Sequence, residues 1–327
     1  MGNIEKRKVL ITGSLGQIGS ELAGALCERY GGDNIVTTDI REDENGCLAC
    51  AERFEKLDVL SIEDFNRVVS ENDIDVIYHL AALLSAVAES SPQKAWQINM
   101  EGLFNALEVS RENGCSLFVP SSIGAFGPDT PLDDTPQDTI MRPHSMYGVT
   151  KVSGELLCDY YNLRFGVDTR GVRYPGIISN VTLPGGGTTD YSVEIFYRAI
   201  LDGRYTCYLN PDTSLDMMYM PDAIKAAIDL MEIDPGVLRH RNAFNVTAMH
   251  FTPEMIAAEI RKFIPGFEIT YENDPVRQAI ADSWPNNMDD SAARDEWGWL
   301  PEYGIEEMTR DMLEVLGAKA EKGELKI

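Results

Sequence analysis

Positive charge is what this sequence has least of. Its 28 Lys and Arg stand against 53 Asp and Glu, a formal charge of −25. A surface of that sign repels phosphate backbones and anionic headgroups, so nucleic acid and membrane are poor partners. No apolar run approaches the ~20 residues that a membrane helix requires. The residues ahead of the first strand, Met-Gly-Asn-Ile-Glu-Lys-Arg, carry no signal-peptide pattern, and a cytoplasmic location is the expectation. Cysteine is sparse as well: six residues, at 27, 47, 50, 115, 158 and 207, form no repeating framework. Reduced thiols are expected. Cys47 and Cys50 make a Cys-x-x-Cys, yet no second pair follows at zinc spacing, so no metal is expected. The four histidines carry no proposed chemistry, and His79 is expected in the core at a strand end. What is abundant is apolar: 44% of 327 residues, enough for a full core in two domains or in one large α/β domain with an appended lobe.

Val9, Leu10 and Ile11 read as a strand covered on both faces. Gly13, Gly16 and Gly19 follow, and Gln17 and Ile18 open a helix to about residue 30. One glycine permits a sharp turn, one lets backbone amides approach a pyrophosphate, and one lets the helix pack on the sheet. The helix aims its positive dipole end at the phosphates. Residues 34–39 form a second strand ending on Asp39, twenty residues beyond Gly19. An acidic side chain there accepts both ribose hydroxyls and repels a 2′-phosphate, which selects NAD over NADP. Arg41 is the opposing signal, because a nearby arginine holds a 2′-phosphate; its plainer reading is a solvated loop charge.

Further strands are expected at 54–58, 75–82, 117–122 and 168–173. Helices are expected at 62–72, from Pro92 to Gly114, and from Ser145 to about Phe165. This alternation specifies an α/β fold, a doubly wound parallel sheet of the Rossmann type, with a smaller C-terminal substrate lobe. Residues 1–174 with 214–248 are assigned to the dinucleotide-binding domain, and 175–213 with 249–327 to the lobe. Leu215–Tyr219 and Ala243–Val246 are candidates to return to the sheet, and Trp297-Gly-Trp299 is placed in the lobe.

Tyr147 and Lys151 lie one helical turn apart on one face. A cation beside a phenol favours the phenolate, a usable base when an alcohol is oxidised. Ser122, at a strand end, supplies a hydroxyl to hold the substrate oxygen. Taken alone, the pair also reads as an interfacial tyrosine beside a surface lysine.

Together with Thr-Gly-x-x-Gly-x-x-Gly at 12–19, His-Leu-Ala-Ala at 79–82, Ser-Ser at 121–122 and Tyr-x-x-x-Lys at 147–151, these residues resemble the extended short-chain dehydrogenase/reductase superfamily. Within it the likeness is to the epimerase-like L-threonine 3-dehydrogenases. It is carried by residues 81–86, Pro120–Gly127, Arg173–Ser179, Gly185–Tyr191 and Ile280–Pro285. The resemblance implies that Tyr147 is the base, Ser122 its hydroxyl partner, and Lys151 the group that assists the tyrosine and holds the nicotinamide ribose. It places Asp58 and Val59 at the adenine. Leu80, Ala81 and Asn99 then line the cofactor path beside Ala82, and Tyr174 and Pro175 lie near the nicotinamide. Many members carry threonine at the position of Ser122; serine keeps the hydroxyl.

The activity implied is NAD-dependent oxidation of L-threonine to 2-amino-3-oxobutanoate. A threonine carboxylate needs donors, for which Ser85, Thr188, Thr189 and the amides of Gly186 and Gly187 are candidates, and its ammonium needs an acceptor such as Asp190. Trp284 reads equally as a packed aromatic or a substrate contact. The same likeness suggests a homodimer through the helices near 92–113 and 146–165. The rival readings are a nucleotide-sugar epimerase or dehydratase, whose diphosphate Arg239, Arg241 and Arg277 would have to hold, and a non-catalytic NAD-binding regulator.

Overall fold

The computed structural model describes residues 7–44, 46–183, 185 and 187–325. In the first part of the chain, β1 (Val9–Thr12), α1 (Gln17–Tyr30), β2 (Ile35–Asp39), β3 (Arg53–Lys56), α2 (Ile62–Glu71) and β4 (Val76–His79) alternate. Two short helices follow, α3 (Ser85–Ser90) and α4 (Pro92–Trp96), and a π-turn at Gln97–Glu101 joins them to α5 (Gly102–Asn113). Next come β5 (Ser116–Phe118), β6 (Ser121–Ser122), the long α6 (Met146–Phe165), β7 (Thr169–Arg170) and β8 (Val172–Tyr174).

Six strands pair in parallel in the order β3-β2-β1-β4-β5-β7. Side chains alternate across such a sheet. Val9 and Ile11 therefore pack under α1 with Leu22 and Leu26. Leu10 faces the other way, with Val36 and Ile77, onto Phe65 and Val68 of α2 and Leu107 of α5. The expectation of a doubly wound parallel sheet is met.

The single strand expected at 168–173 is broken at Gly171. A Cβ there would lie 2.3 Å from the Val119 carbonyl oxygen, and the Gly171 amide donates to Arg241 O instead of the sheet. The strand expected at 117–122 breaks too, at Val119 and Pro120, and proline has no N–H for a ladder. Their second halves form a separate small parallel sheet in which Ser121 faces Arg173 and Ser122 faces Tyr174.

The remaining elements are β9 (Gly176–Ile178), α7 (Tyr191–Asp202), β10 (Arg204–Cys207), β11 (Leu215–Tyr219), α8 (Met220–Glu232), β12 (Phe244–Asn245), β13 (Met249–Phe251) and α9 (Pro253–Phe263). They end with β14 (Glu268–Tyr271), α10 (Pro275–Ala281), α11 (Ser291–Trp297) and α12 (Ile305–Glu321). Neither candidate returns to the six-stranded sheet: β12 joins β8 in the small sheet with β6, and β11 pairs with β9 and β13. Leu215, Met217 and Tyr219 thereby enter a second core with Phe196, Ile256, Ile260, Met308 and Met312. Trp297 and Trp299, read from sequence as lobe residues, pack instead with α1 and α8 in the core beneath the sheet. The Cys-x-x-Cys does not close on itself, because Cys50 meets Cys27 with its sulfur 2.8 Å away, and all six thiols are free.

Candidate active site

The glycine turn sits where β1 and β4 end side by side. Gly13 has φ +69°, and a Cβ there would meet the Ala81 amide at 2.8 Å. The Gly19 position has its Cβ direction filled by Gly13 O at 2.4 Å, so this glycine sets the contact between helix and turn. Gly16 caps α1 with no side-chain hydrogen bond, leaving the first amides of the helix, those of Gln17 and Ile18, directed at the cleft. The Gln17 side-chain amide nitrogen is buried without a partner among the described residues. Open amides, a helix N-terminus and an unpaired donor suit a pyrophosphate.

Beyond the turn, Asp39, Asp58, Val59, Leu80, Ala81 and Ala82 line a second pocket that shares Gly13 and Gly16 with the turn. The Asp39 carboxylate accepts from the Leu15 amide at 3.1 Å and from the Arg41 Nε at 3.0 Å. Burial pushes its pKa up, but the Arg41 and backbone hydrogen bonds outweigh it and hold the group below the usual carboxylate value. Arg41 is thus tied to Asp39 and is not simply a solvated charge. Asn99 lies deeper, and its amide is fully used: Oδ1 accepts from Leu83 N at 2.8 Å, and Nδ2 donates to Leu83 O and Thr150 Oγ1, both at 3.1 Å. It fastens the loop after β4 to α6.

Ser122 ends β6, and its Oγ accepts the Gly124 amide at 3.1 Å. Ser145 caps α6 by accepting the Gly148 amide, which places Tyr147 in the first turn and Lys151 one turn further. Lys151 Nζ lies 5.4 Å from the Tyr147 ring centroid and donates to Pro120 O at 2.7 Å. Ser122, Tyr147 and Lys151 line one cleft with the glycine turn on one side and Ser85, Gly187, Thr188, Thr189 and Asp190 on the other. Trp284 also lines it, which places the tryptophan at the cleft as well as in packing. Asp190 Oδ2 accepts the Gly187 amide at 2.6 Å; Gly186 lies outside the described residues. Pro175 and Tyr174 line the floor, but the Tyr174 hydroxyl donates to Ala223 O at 2.6 Å. Its phenol is therefore engaged in the core. His79 is buried against Thr12, Nδ1 to Oγ1 3.0 Å. Burial and the Lys151 charge push its pKa down to about 3, so it stays neutral.

Sequence reading missed one cluster behind these residues. Glu155, a turn beyond Lys151, accepts from Ser121 Oγ and forms a two-pronged ion pair with Arg173, Nε to Oε1 3.0 Å and Nη2 to Oε2 2.8 Å. Both side chains are only 5% exposed. The signal was a glutamate four residues after the lysine and an arginine preceding Tyr174-Pro175, but nothing local says that the two meet.

A doubly wound sheet with an open glycine turn at its carboxyl edge and a serine, tyrosine and lysine in the adjoining cleft define a dinucleotide-dependent enzyme of the oxidoreductase type. The chain belongs to the NAD dependent epimerase/dehydratase family, whose description matches residues 9–246, and NAD is its cofactor. It is 55% identical over 312 residues to an uncharacterized epimerase/dehydratase of Staphylococcus haemolyticus, covering 95% of this chain and 98% of that one. Among solved structures it is similar to the L-threonine dehydrogenase of Clostridium difficile, with 55% identity, a TM-score of 0.95, and 97% and 99% of the two chains covered. It is also similar to a monomeric L-threonine 3-dehydrogenase from a metagenome, with 44% identity, a TM-score of 0.90, and 95% and 99% covered.

Proposed function

We propose that this enzyme oxidises L-threonine at its 3-hydroxyl to 2-amino-3-oxobutanoate, a step of threonine catabolism. The observation that carries the reading is the convergence of Ser122, Tyr147 and Lys151 in the cleft between the glycine turn and residues 185–190. Bound NAD supplies the hydride acceptor. Tyr147 takes the hydroxyl proton on its phenolate oxygen as the C3–H bond breaks, Ser122 holds the substrate oxygen, and the Lys151 ammonium compensates the phenolate charge. Gln17, Ile18 and the three glycines hold the pyrophosphate, Asp39 the adenosine ribose, and Asp58 and Val59 the adenine edge. Leu80, Ala81, Ala82, Tyr174 and Pro175 form the walls, and Asn99 keeps the wall at Leu83 in place. Ser85, Gly187, Thr188, Thr189 and Asp190 surround the amino acid.

The similarity to the Clostridium difficile enzyme supports this choice of substrate. The diphosphate chemistry of a nucleotide-sugar epimerase finds less support. Arg239 pairs with Glu296, Arg241 with Asp168, and Arg277 stacks on Tyr208 at 4.1 Å, and none of the three lines the cleft. The reading includes a homodimer through α5 and α6, which expose Phe104, Leu156, Tyr160 and Leu163, and a cytoplasmic location. No helix among the described residues is long and apolar enough to cross a membrane.

The test follows NADH formation from L-threonine and NAD, with UDP-galactose and NADP as parallel arms. Threonine-dependent NADH is expected; its absence, or turnover of the nucleotide sugar instead, overturns the proposal. Tyr147→Phe is expected to abolish turnover and to keep NAD affinity, and substantial residual activity would remove Tyr147 from the role of base.

A further inference from the structure

Three residues at the back of the cleft, Ser121, Glu155 and Arg173, share one buried network, and of the three only Ser121 lines the cleft itself. Glu155 sits on α6 one turn after Lys151, as Lys151 sits one turn after Tyr147, so the three project from one face of a single helix. Lys151 grips the backbone at Pro120 O, at 2.7 Å. Glu155 grips the next residue, accepting a hydrogen bond from the Ser121 hydroxyl. Ser122 follows immediately. The two consecutive residues that lead into Ser122, Pro120 and Ser121, are thus held by two consecutive turns of the helix that presents Tyr147.

Arg173 holds the other end. It faces Ser121 in the sheet pairing, and every prong of its guanidinium is used: Nε and Nη2 on Glu155, Nη1 on Gln137 O at 2.8 Å and on Asn245 Oδ1 at 3.0 Å. Its cation also lies over the Phe126 ring, 5.2 Å from the centroid. Gln137 in turn accepts the Asn245 amide and donates to Ala243 O. Through these bonds the loop between Ser122 and α6 is tied to β12 and to the helix at once. Removing two charges from water costs several kcal/mol per ion unless geometry and hydrogen bonds repay it. A well-packed apolar pair would stabilise a fold equally well, so stability alone does not account for an ion pair here.

We infer that Glu155, with Ser121 and Arg173, is a positioning unit for the reaction: it fixes the distance and angle between the Ser122 hydroxyl and the Tyr147 phenol. The inference rests on the dehydrogenase reading above. Catalytic geometry is demanding, and a displacement near 1 Å costs on the order of a hundredfold in rate. Glu155 acts only through Ser121 and Arg173 and has no direct part in proton or hydride movement.

The experiment compares wild type, Glu155→Gln and Ser121→Ala in the L-threonine assay. It records kcat, KM, NAD affinity by titration, thermal melting, and the primary isotope effect with threonine deuterated at C3. Ser121→Ala removes one hydroxyl and leaves the ion pair, so it remains informative if Glu155→Gln does not fold. The expected result is a fall in kcat of about tenfold or more, with NAD affinity within about twofold of wild type and an isotope effect that rises as chemistry becomes slower. Unchanged kcat in folded variants overturns the inference. So does a loss of kcat that merely tracks lost NAD binding or a lower folded fraction, because that marks a structural role only. A wild-type protein that does not oxidise threonine refutes the substrate reading instead, and the two failures are told apart by that control.

Discussion

At Gly124 the chain passes between the two hydroxyl-bearing side chains of the cleft. A Cβ there would stand 3.2 Å from the Tyr147 ring and 3.5 Å from Ser122 Oγ, tighter than ordinary contact on the tyrosine side. Gly124→Ala therefore pushes the phenol off its seat. A several-fold lower kcat with near-native melting is expected, measured by steady-state kinetics beside calorimetry. Gly13 is less forgiving, since its positive φ and the Ala81 amide both oppose a side chain. The left-handed conformation alone costs roughly 1–2 kcal/mol for a non-glycine residue, so Gly13→Ala is expected to lose NAD binding and to melt lower. Asp216 gives a pH effect of definite sign. Wholly buried on β11, it accepts from Thr247 Oγ1 and from the Met288 amide; burial outweighs these bonds and pushes its pKa up to about 7 from 3.8. Between those values the folded chain keeps a proton that the unfolded chain has released. Its contribution to stability falls as pH rises through that window and is level above it. Melting temperature of the wild type, measured from pH 4 to 8 against Asp216→Asn, should decline relative to the variant up to pH 7. Parallel curves would show that Asp216 titrates normally.

Among the elements, those with strong local punctuation were legible in the sequence. α1 and β1 are fixed by three glycines and a buried apolar run, and α6 starts at a serine cap and ends at Gly166, whose φ of +73° stops it. α3 was not foreseen because its six residues are too few to show a period. The π-turn at Gln97–Glu101 likewise lies inside what reads as one continuous helix. The break at Gly171 depends on a carbonyl from a distant strand, and the pairing of β11 with β9 depends on which core its apolar face meets; neither is a local property. The candidate site divides in the same way. Gly13, Ser122, Tyr147 and Lys151 are visible as motifs, whereas the Glu155–Arg173 pair exists only once β8 lies beside β6. The exposed face of α5 and α6 carries a prediction of its own. Leu163 is 86% exposed and Leu156 63%; with the exposed Tyr160 they fall at i, i+4 and i+7 on one face of the helix, and a contiguous exposed apolar patch marks a contact surface. Leu163→Glu should turn a dimer into a monomer in sedimentation velocity, with the fold intact by circular dichroism. A wild type that already sediments as a monomer would refute the dimer.

For the molecule as a whole, the cleft lies between two cores. The glycine turn belongs to the six-stranded sheet, while Asp190 and Trp284 belong to the side built on α7, α9 and α12. A ligand that binds only the folded state raises its stability by mass action, about 2.7 kcal/mol at a hundred times its dissociation constant. NAD should therefore raise the melting temperature, and the shift should vanish in Gly13→Ala. One feature spans both the cleft and the outer surface. α6 runs for 20 residues, about 30 Å, with Tyr147, Lys151 and Glu155 on its inner face and Leu156, Tyr160 and Leu163 exposed further along. It works as a ruler graduated in turns. A single substitution changes one mark, but one inserted or deleted residue between 147 and 155 rotates everything beyond it by about 100°. Lineages of this enzyme should therefore vary in α6 side chains outside these two faces, and hardly at all in its length.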